Sequence, residues 1–274
     1  MNFFEIKPVS LYLDELIVIE EIKSQFHNIL LCEHQKLGKV LIIDKEIMHV
    51  ENYEAFYHEP LVHLPFAINP KINSVLILGG GSLFAAKEAL KYNTVDEVVL
   101  CDHDKEVLRL IARHYSHSQS VLNDKRFCYV EQDALHFLHN NKRKFDLIIN
   151  DCFDLSEVYL DGVCLYDVLD DALSEGGLCS DMIYGDIFDN YCMSNSMKHL
   201  KNKCSKFYSL MCIPEYPGIL HLHAIWSKSQ ITINYNHISS EQKKLFKNNE
   251  FKLFNPYYLQ FYFYLPKFVK DIIK

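Results

Sequence analysis

A short apolar run that ends in three consecutive glycines constrains the fold of this chain more than any other segment. The run covers Val75 to Leu78, and Gly79, Gly80 and Gly81 follow it directly. We expect a buried parallel strand here, since such strands read as continuous hydrophobic runs. Glycines after a strand allow bare backbone to approach a ligand closely. With a helix predicted from residue 84, the segment has the form of the first unit of a nucleotide-binding α/β sheet.

An acidic residue follows the glycine turn at the spacing of a ribose-binding site. A second apolar run ends in Asp102, about twenty residues after the turn. The glycines do not fit the dinucleotide pattern, because Leu83 and Phe84 occupy the later glycine positions. An adenosine ligand without a pyrophosphate, such as S-adenosylmethionine, therefore fits better than NAD. The simpler alternative is that the glycines form only a tight turn and that Asp102 caps a helix.

Strands and helices are predicted to alternate beyond the glycine turn. This order is typical of a doubly wound parallel sheet, and we predict an α/β, Rossmann-like fold of the class I methyltransferase type. The first part of the chain instead contains short β-prone runs separated by polar breaks, which predict a small N-terminal β-domain. We therefore assign residues 1–60 to this β-domain and residues 61–274 to a catalytic domain. The predicted strands are 75–78, 98–101, 127–131, 147–149 and 178–183, and the predicted helices are 52–64, 84–92, 105–114, 134–138 and 164–173.

Composition excludes several classes of function. The formal net charge is −8 and lysine and arginine form no block, which argues against nucleic acid as a partner and suits cationic small molecules. Nine cysteines without a C-x-x-C pair indicate reduced thiols rather than a disulfide framework or a metal site. No apolar stretch reaches the roughly eighteen residues of a membrane span. The first ten residues lack a basic segment leading into an apolar one, so we expect a cytoplasmic protein.

Three acidic residues are predicted at the carboxyl ends of strands, where ligands bind in such sheets. Asp151 and Asp154 follow the strand that ends at Asn150, and Asp133 follows the strand before it. An acid at the position of Asp133 can accept the adenine amino group. The simpler alternatives are that Asp133 and Asp154 cap helices and that Asp151 is solvated. For Asp133 both roles are compatible.

A further polar cluster is predicted on the first long helix. Glu54, Tyr57 and His58 are three and four residues apart and therefore share one helical face. Taken alone, the segment is also compatible with a solvated acidic surface.

Taken together, these segments resemble the spermidine synthase family, the polyamine aminopropyltransferases. A plain methyltransferase shares the glycine turn and the ribose acid, but it lacks the Tyr-His-Glu helix and the Pro-x-Tyr-Pro turn found here. The matching segments are Phe26–Leu30, Gly38–Leu41, Tyr57–Glu59 with Leu64 and Pro65, Val75–Gly81, Asp102–Asp104, Asp133–Ala134, Asp151–Asp154, Ala172–Gly177, and Pro214–Gly218 before Ser227 and Lys228.

The resemblance implies an activity and a set of site residues. It implies transfer of a three-carbon, amine-bearing chain from a sulfonium donor to an amine, with methylthioadenosine as leaving product and with no metal. It also implies a homodimer or homotetramer. By position, the donor-binding residues are Gly79, Gly80, Gly81, Ser82, Asp102, Asp133 and Ala134; the catalytic residues are Asp151, Tyr57 and Asp154; and the acceptor-binding residues are His58, Tyr216 and Asp154.

The chain departs from the family pattern next to the glycines. The family usually has Gly-Gly-Gly-Asp-Gly-Gly, whereas this chain has Ser82, Leu83 and Phe84 after its glycines. The family aspartate holds the amino group of the decarboxylated donor, so Ser82 removes a negative charge from that position. Met48 stands where the family often has glutamine, and residues 155–158 lack the prolines and glycine of the family's gating loop.

These departures leave the donor and the acceptor open. The family aspartate would repel S-adenosylmethionine itself, which keeps a carboxylate, whereas Ser82 would tolerate it, so this departure favours the non-decarboxylated donor. We therefore predict transfer of a 3-aminopropyl or 3-amino-3-carboxypropyl group to a small-molecule or modified-peptide acceptor, for example an intermediate of a peptide-nucleotide antibiotic. Two alternatives are a methyltransferase on the same fold and an inactive binding protein that kept the fold.

Overall fold

The computed structural model describes residues 2–6, 9–152, 155, 158–186 and 191–273. Strands β1 to β15 cover Asn2–Ile6, Val9–Tyr12, Ile17–Lys23, Asn28–His34, Gly38–Ile43, Glu46–Val50, Ser74–Gly79, Glu97–Asp102, Phe127–Glu131, Phe145–Asp151, Tyr159–Leu160, Val163–Cys164, Leu173–Asp186, Ser205–Met211 and Ile219–Ser227. Helices α1 to α10 cover Glu54–Ile68, Phe84–Ala89, Lys105–His114, His117–Leu122, Ala134–Asn140, Leu165–Ala172, Tyr191–Leu200, Ser240–Lys247, Leu259–Tyr262 and Lys267–Ile272. Short 3-10 turns cover Glu51–Tyr53 and Pro256–Tyr258.

The central sheet has seven strands in the order β14-β15-β13-β10-β7-β8-β9. Strands β13, β10, β7, β8 and β9 are parallel, and β15 is antiparallel to both β13 and β14. The predicted α/β, Rossmann-like fold is confirmed. Chain order proceeds from β7 to β8 and β9 on one side and resumes with β10 and β13 on the other. The sheet therefore has its topological switch point between β7 and β10, where ligands bind in open α/β sheets.

Strand β7 is buried on both faces, which explains its continuous apolar sequence. Val75 and Ile77 pack into one hydrophobic cluster, with residues of α1, α2 and α3. Leu76 and Leu78 pack into a second cluster, with residues of α5, α6 and α7. Because successive side chains of a strand point to opposite faces, helices covering both faces require an apolar residue at every position.

The N-terminal region forms a separate antiparallel sheet of four strands in the order β3-β4-β5-β6. This sheet confirms the predicted N-terminal β-domain fold and has a small core of its own, which includes Cys32, Val40, Ile42 and Ile47. Helix α1 connects the sheet to β7 and runs through residue 60, so the proposed domain boundary lies inside this helix. The division at residue 60 stays a prediction.

Helix α2 ends earlier than the predicted range of 84–92. Its regular part stops at Ala89, after which Lys91 N donates to Glu88 O at 3.4 Å and Tyr92 N donates to Ala89 O at 3.2 Å. These i→i−3 bonds tighten the end of the helix, as is common at helix C-termini. The Tyr92 ring then stacks on Phe66 of α1 with a centroid distance of 3.8 Å. None of the helices in the described ranges has the length and apolarity needed to cross a membrane.

Candidate active site

The glycine turn lets the end of β7 approach the end of β10 closely. Gly79 and Gly80 have φ of +74° and +76°, a region that favours glycine. A Cβ atom on Gly79 would lie 2.3 Å from Cβ of Cys152, and one on Gly80 would lie 2.8 Å from Oδ2 of Asp151. Glycine at both positions is therefore required for the Asp151 carboxylate to lie against the turn.

Asp102 lies at the end of β8, on the other side of the turn. Its Oδ2 accepts from Gly81 N at 3.0 Å and its Oδ1 accepts from Asp104 N at 2.9 Å. Burial raises the pKa of Asp102, and the two backbone hydrogen bonds oppose that rise. The capping role considered for Asp102 belongs instead to Asp104, which accepts from Glu106 N at the start of α3. The Asp102 side chain therefore caps no helix and instead contacts the glycine turn at Gly81.

Asp133 and Ala134 follow β9, beside β8. Asp133 is the N-cap of α5 and accepts from His136 N at 2.9 Å, so the simpler alternative for this residue is correct. Ala134 begins the helix and is buried. A carboxylate has further lone pairs, and capping does not prevent it from accepting a hydrogen bond from a ligand.

Asp151 is a buried carboxyl group at the last position of β10. Its side chain is 9% exposed, and its Oδ2 has no hydrogen-bond partner. Burial, followed by the charge of Asp102, raises the pKa of Asp151 to about 7, although a hydrogen bond from Tyr57 opposes the rise. A carboxyl group with a pKa near neutrality is suited to remove a proton from a substrate. Asp154, the other predicted acid of this segment, lies outside the described residues.

Helix α1 is buried, so its polar cluster is not a solvated acidic surface. His58 is 6% exposed and its Nδ1 lies 3.0 Å from the backbone oxygen of Glu54, which assigns the ring proton to Nδ1. Burial lowers the pKa of His58 to about 4, so the ring is neutral at pH 7. Its Nε2 is then a hydrogen-bond acceptor, and it lies 3.9 Å from Oδ2 of Asp151. Two acceptors therefore face each other without a donor between them.

Tyr57 and Tyr216 extend the site away from the glycine turn. Burial raises the pKa of Tyr57 well above its usual value, and the negative charge of Asp151 adds to this rise. The Tyr57 hydroxyl is therefore protonated, and it donates a hydrogen bond to Asp151. The Tyr216 hydroxyl donates to the backbone oxygen of Ile47 at 2.8 Å. This bond ties the turn between β14 and β15 to β6 of the N-terminal sheet.

The departures after the glycines fill space beside the turn. Leu83 has φ of +65° and is fully buried, in a backbone conformation that favours glycine. The Phe84 ring is surrounded by His49, His58 and His117, with centroid distances of 4.3, 5.2 and 4.1 Å. The Ser82 carbonyl accepts from His117 Nε2 at 3.0 Å. Bulky rings thus occupy the region where the family has small residues.

Two buried residues near this site were missed by the sequence analysis. Glu215 is 4% exposed with an unpaired Oε2, and His221 is 5% exposed with an unpaired Nδ1. The only available signal was a glutamate at the variable position of the Pro-x-Tyr-Pro turn. Within the described residues, histidine, cysteine, aspartate and glutamate form no group of three or more that could hold a metal ion.

Comparison with known proteins identifies the family. Residues 54–236 match the family model of the spermine/spermidine synthase domain. The chain belongs to the spermine/spermidine synthase family. The family resemblance seen in the sequence is confirmed, and with it an enzyme of the aminopropyl-transferring type; decarboxylated S-adenosylmethionine is the donor that the spermidine synthase family uses.

Three of the four similar proteins that follow cover nearly the whole chain. A polyamine aminopropyltransferase of Lachnoclostridium phytofermentans is 29% identical over 95% of this chain and 92% of its own length. Thermospermine synthase ACAULIS5 of Arabidopsis thaliana is 35% identical over 50% of this chain and 40% of its own length. The crystal structure of spermidine synthase from Thermotoga maritima has a TM-score of 0.82 at 27% identity, covering 93% of this chain and 87% of that one. A spermidine synthase structure in complex with the transition-state analogue AdoDATO has a TM-score of 0.81 at 27% identity, with the same coverage.

Proposed function

We propose that this enzyme transfers a 3-aminopropyl group from decarboxylated S-adenosylmethionine to a primary amine of a diamine or polyamine. The observation that carries the proposal is the pair formed by His58 Nε2 and Asp151 Oδ2, two buried acceptors 3.9 Å apart. An ammonium nitrogen fits between them at about 2.9 Å from each, a normal hydrogen-bond length. The names of the similar aminopropyltransferases support the same substrate class.

Asp151 acts as the base in the proposed reaction. Its carboxylate takes one proton from the acceptor ammonium, because only the neutral amine has a lone pair for attack. The amine nitrogen then forms a bond to the methylene carbon next to the sulfonium sulfur. The carbon–sulfur bond breaks, its electron pair stays on sulfur, and neutral methylthioadenosine leaves. Tyr57 and neutral His58 hold the nucleophile in line, which supplies a large part of the rate.

The adenosyl part of the donor is proposed to lie along the ends of β7, β8 and β9. Asp102 would accept from the ribose hydroxyls and Asp133, with Ala134, would contact the adenine. Gly79, Gly80 and Gly81 would let the sulfonium end lie close to Asp151. The positive sulfonium charge suits this position, since Asp102 and Asp151 are both acidic.

Transfer of a 3-amino-3-carboxypropyl group is the second candidate, and Ser82 is the observation that favours it. The other charges of the site oppose it. Asp102, Asp151 and Glu54 would repel a donor carboxylate, and Lys87, the described cation beside Phe84, is already paired with Glu54 and Glu88 at 3.1 and 2.9 Å. A modified-peptide acceptor and the homodimer or homotetramer stay predictions.

Product analysis tests the proposed function. The enzyme is incubated with each donor and a panel of amines, and the adenosyl product is identified by mass spectrometry. Methylthioadenosine with decarboxylated donor and a diamine is the expected result. S-adenosylhomocysteine would show methyl transfer instead, and no turnover of either donor with any amine would contradict the proposal.

We expect Ser82→Asp to strengthen binding of decarboxylated donor about tenfold and to weaken binding of S-adenosylmethionine. The restored carboxylate can accept a charge-assisted hydrogen bond from the donor's amino group, which is worth about 1.5–3 kcal/mol. It would repel the carboxylate of the other donor. Isothermal titration of both donors measures the effect.

Ser240→Asp is the matched control, because it adds the same charge at an exposed position at the start of α8. It should change neither affinity. If Ser82→Asp leaves both affinities unchanged as well, residue 82 does not contact the donor's tail.

A further inference from the structure

Phe84 is the central ring of an aromatic cluster to which the proposed reaction assigns no role. It begins α2 directly after the glycine turn and is 4% exposed. The centroid of its ring lies 4.3 Å from that of His49, 4.1 Å from that of His117 and 5.8 Å from that of Tyr115. Rings at these distances are closely packed, so the neighbours of Phe84 fix its position.

The same ring packs against His58 of the active site. The two centroids are 5.2 Å apart, and the ring planes are inclined by 34°. The Tyr57 ring lies 5.1 Å from the His58 ring, and His58 Nδ1 donates to the backbone oxygen of Glu54 at 3.0 Å. These contacts fix the imidazole of His58 with its Nε2 3.9 Å from Oδ2 of Asp151.

Acidic groups close to His58 favour its protonated form. Glu54 Oε2 lies 4.0 Å from Nδ1 and has no hydrogen-bond partner, and Asp151 Oδ2 lies beside Nε2. Both carboxylates could accept charge-assisted hydrogen bonds from a protonated ring. The ionisable groups that face the ring are Glu54 and Tyr57 of α1, His49 of β6, Lys87 and Glu88 of α2, and Asp151 of β10. Carboxylates outnumber the lysine in this set, so the charges alone would favour a protonated His58.

Burial outweighs these charges. It is the largest influence on His58 and lowers the pKa of the ring to about 4, although the charge of Glu54 acts in the opposite direction. An apolar ring against an imidazole excludes the water that would solvate the charged form. Of the three rings that contact His58 in the described ranges, those of His49, Tyr57 and Phe84, the ring of Phe84 alone carries no polar atom.

We propose that Phe84 is a positioning residue that keeps His58 uncharged and directs its Nε2 lone pair toward the acceptor amine. This inference rests on the proposed function, in which that lone pair receives a hydrogen bond from the acceptor ammonium. A protonated His58 would instead present an N–H group to a cation and would pair with Asp151. The acceptor would then lose a partner, and Asp151 would become a weaker base.

The test follows the His58 ring by NMR titration in the wild type, Phe84→Ser and Phe84→Leu, with the signal assigned from His58→Gln. We expect a midpoint below about pH 5 in the wild type and in Phe84→Leu, whose side chain still excludes water. In Phe84→Ser the midpoint should rise by about two pH units, toward the ordinary value of histidine. KM for 1,4-diaminobutane should then rise at least threefold at pH 5.5 and stay within about twofold at pH 8.5. Phe261→Ser, at an exposed position of α9, is the matched control and should change neither quantity.

The outcomes separate this inference from the proposed function. A higher KM at both pH values without a shift of the His58 midpoint overturns the inference, because Phe84 would then have a structural role alone. A wild-type midpoint above about pH 6 also overturns it. If Phe84→Ser does not fold, Phe84→Gln takes its place with the same expected shift, since it keeps more of the volume and brings a polar group to the imidazole. If the wild type releases no methylthioadenosine, the proposed function fails, and the titration alone decides the role of Phe84: a shifted midpoint supports it, and an unchanged midpoint overturns it.

Discussion

Asp151→Asn is expected to lower kcat by about 10²–10⁴-fold, the usual contribution of a general base. An amide cannot take a proton from the acceptor ammonium, while its shape keeps the packing against Gly80. Binding of the donor should change by only a few fold, since Asp102 and the glycine turn are untouched. Steady-state release of methylthioadenosine and titration of the donor measure the two effects.

The pH profile gives an independent readout of the same residue. Asp151 has a pKa of about 7 and acts as a base only when ionised. The rate should therefore rise about tenfold per pH unit below pH 7 and level off above it. Glu215 also has a pKa of about 7. If ionisation of Asp151 causes the rise of kcat with pH, the Glu215→Gln variant should show the same rise.

Loss of folding does not explain the expected loss of activity. The raised pKa of Asp151 means that the folded protein holds this proton more tightly than the unfolded chain does. Its contribution to stability is complete below the unfolded pKa of about 4 and is lost as pH rises through 7. Above pH 7 the wild type must bury an ionised carboxylate, which costs stability. Asparagine carries no charge, so at pH 8 Asp151→Asn should be at least as stable as the wild type.

Asp124→Asn is a suitable control, because Asp124 pairs with Arg126 in a turn away from the site. It should retain full activity. If Asp151→Asn keeps more than a tenth of the wild-type rate, or if the pH profile is unchanged, Asp151 is not the base.

Features that are local in sequence could be predicted. The apolar run of β7, the glycines and the acid at the end of β8 are fixed by strand periodicity and by the spacing of one βαβ unit. The same reasoning correctly predicted the small β-domain before residue 54. The helix cap at Asp133 was predicted correctly because it depends on local sequence, and the contact of Asp133 with adenine stays a prediction.

Features that depend on distant contacts could not be predicted. The polar cluster of Glu54, Tyr57 and His58 is also compatible in sequence with a solvated acidic surface, and only the packing of its helix shows that it is buried. Tyr216 pairs with Ile47, from which it is separated by 169 positions in the chain. Glu215 looks like an ordinary turn residue until its burial and its missing partner are known. No sequence period encodes these relations.

The second large effect is expected for Glu88→Ala, which should lower the free energy of unfolding by about 3–5 kcal/mol. Glu88 is 1% exposed and lies 2.8 Å from His63 Nε2, 2.9 Å from Lys87 Nζ and 2.5 Å from Lys91 Nζ. Removing it takes away the buried carboxylate that His63 and Lys91 contact, while Lys87 keeps its ion pair with Glu54. Urea unfolding at pH 7 measures the loss.

The effect has a defined pH dependence. Burial alone would raise the pKa of Glu88, but the hydrogen bond to His63 and the charges of His63 and the two lysines outweigh it and lower the pKa. The stabilisation is therefore complete above the unfolded pKa of about 4.5 and is lost as pH falls. Wild type and Glu88→Ala should become more similar in stability as the pH is lowered below 4.

Glu106→Ala is the matched control, since Glu106 pairs with the half-exposed Arg109 three residues away on α3. Exposed pairs contribute little, and we expect a change below about 0.5 kcal/mol. A loss below about 1 kcal/mol for Glu88→Ala would contradict a stabilising role of the buried network.

The contact between Glu88 and His63 also connects the two halves of the site. His63 belongs to the helix that carries His58, and Glu88 belongs to the helix that begins after the glycine turn. Glu88→Ala should therefore also raise KM for both substrates, because the acceptor and donor halves of the site lose their mutual support.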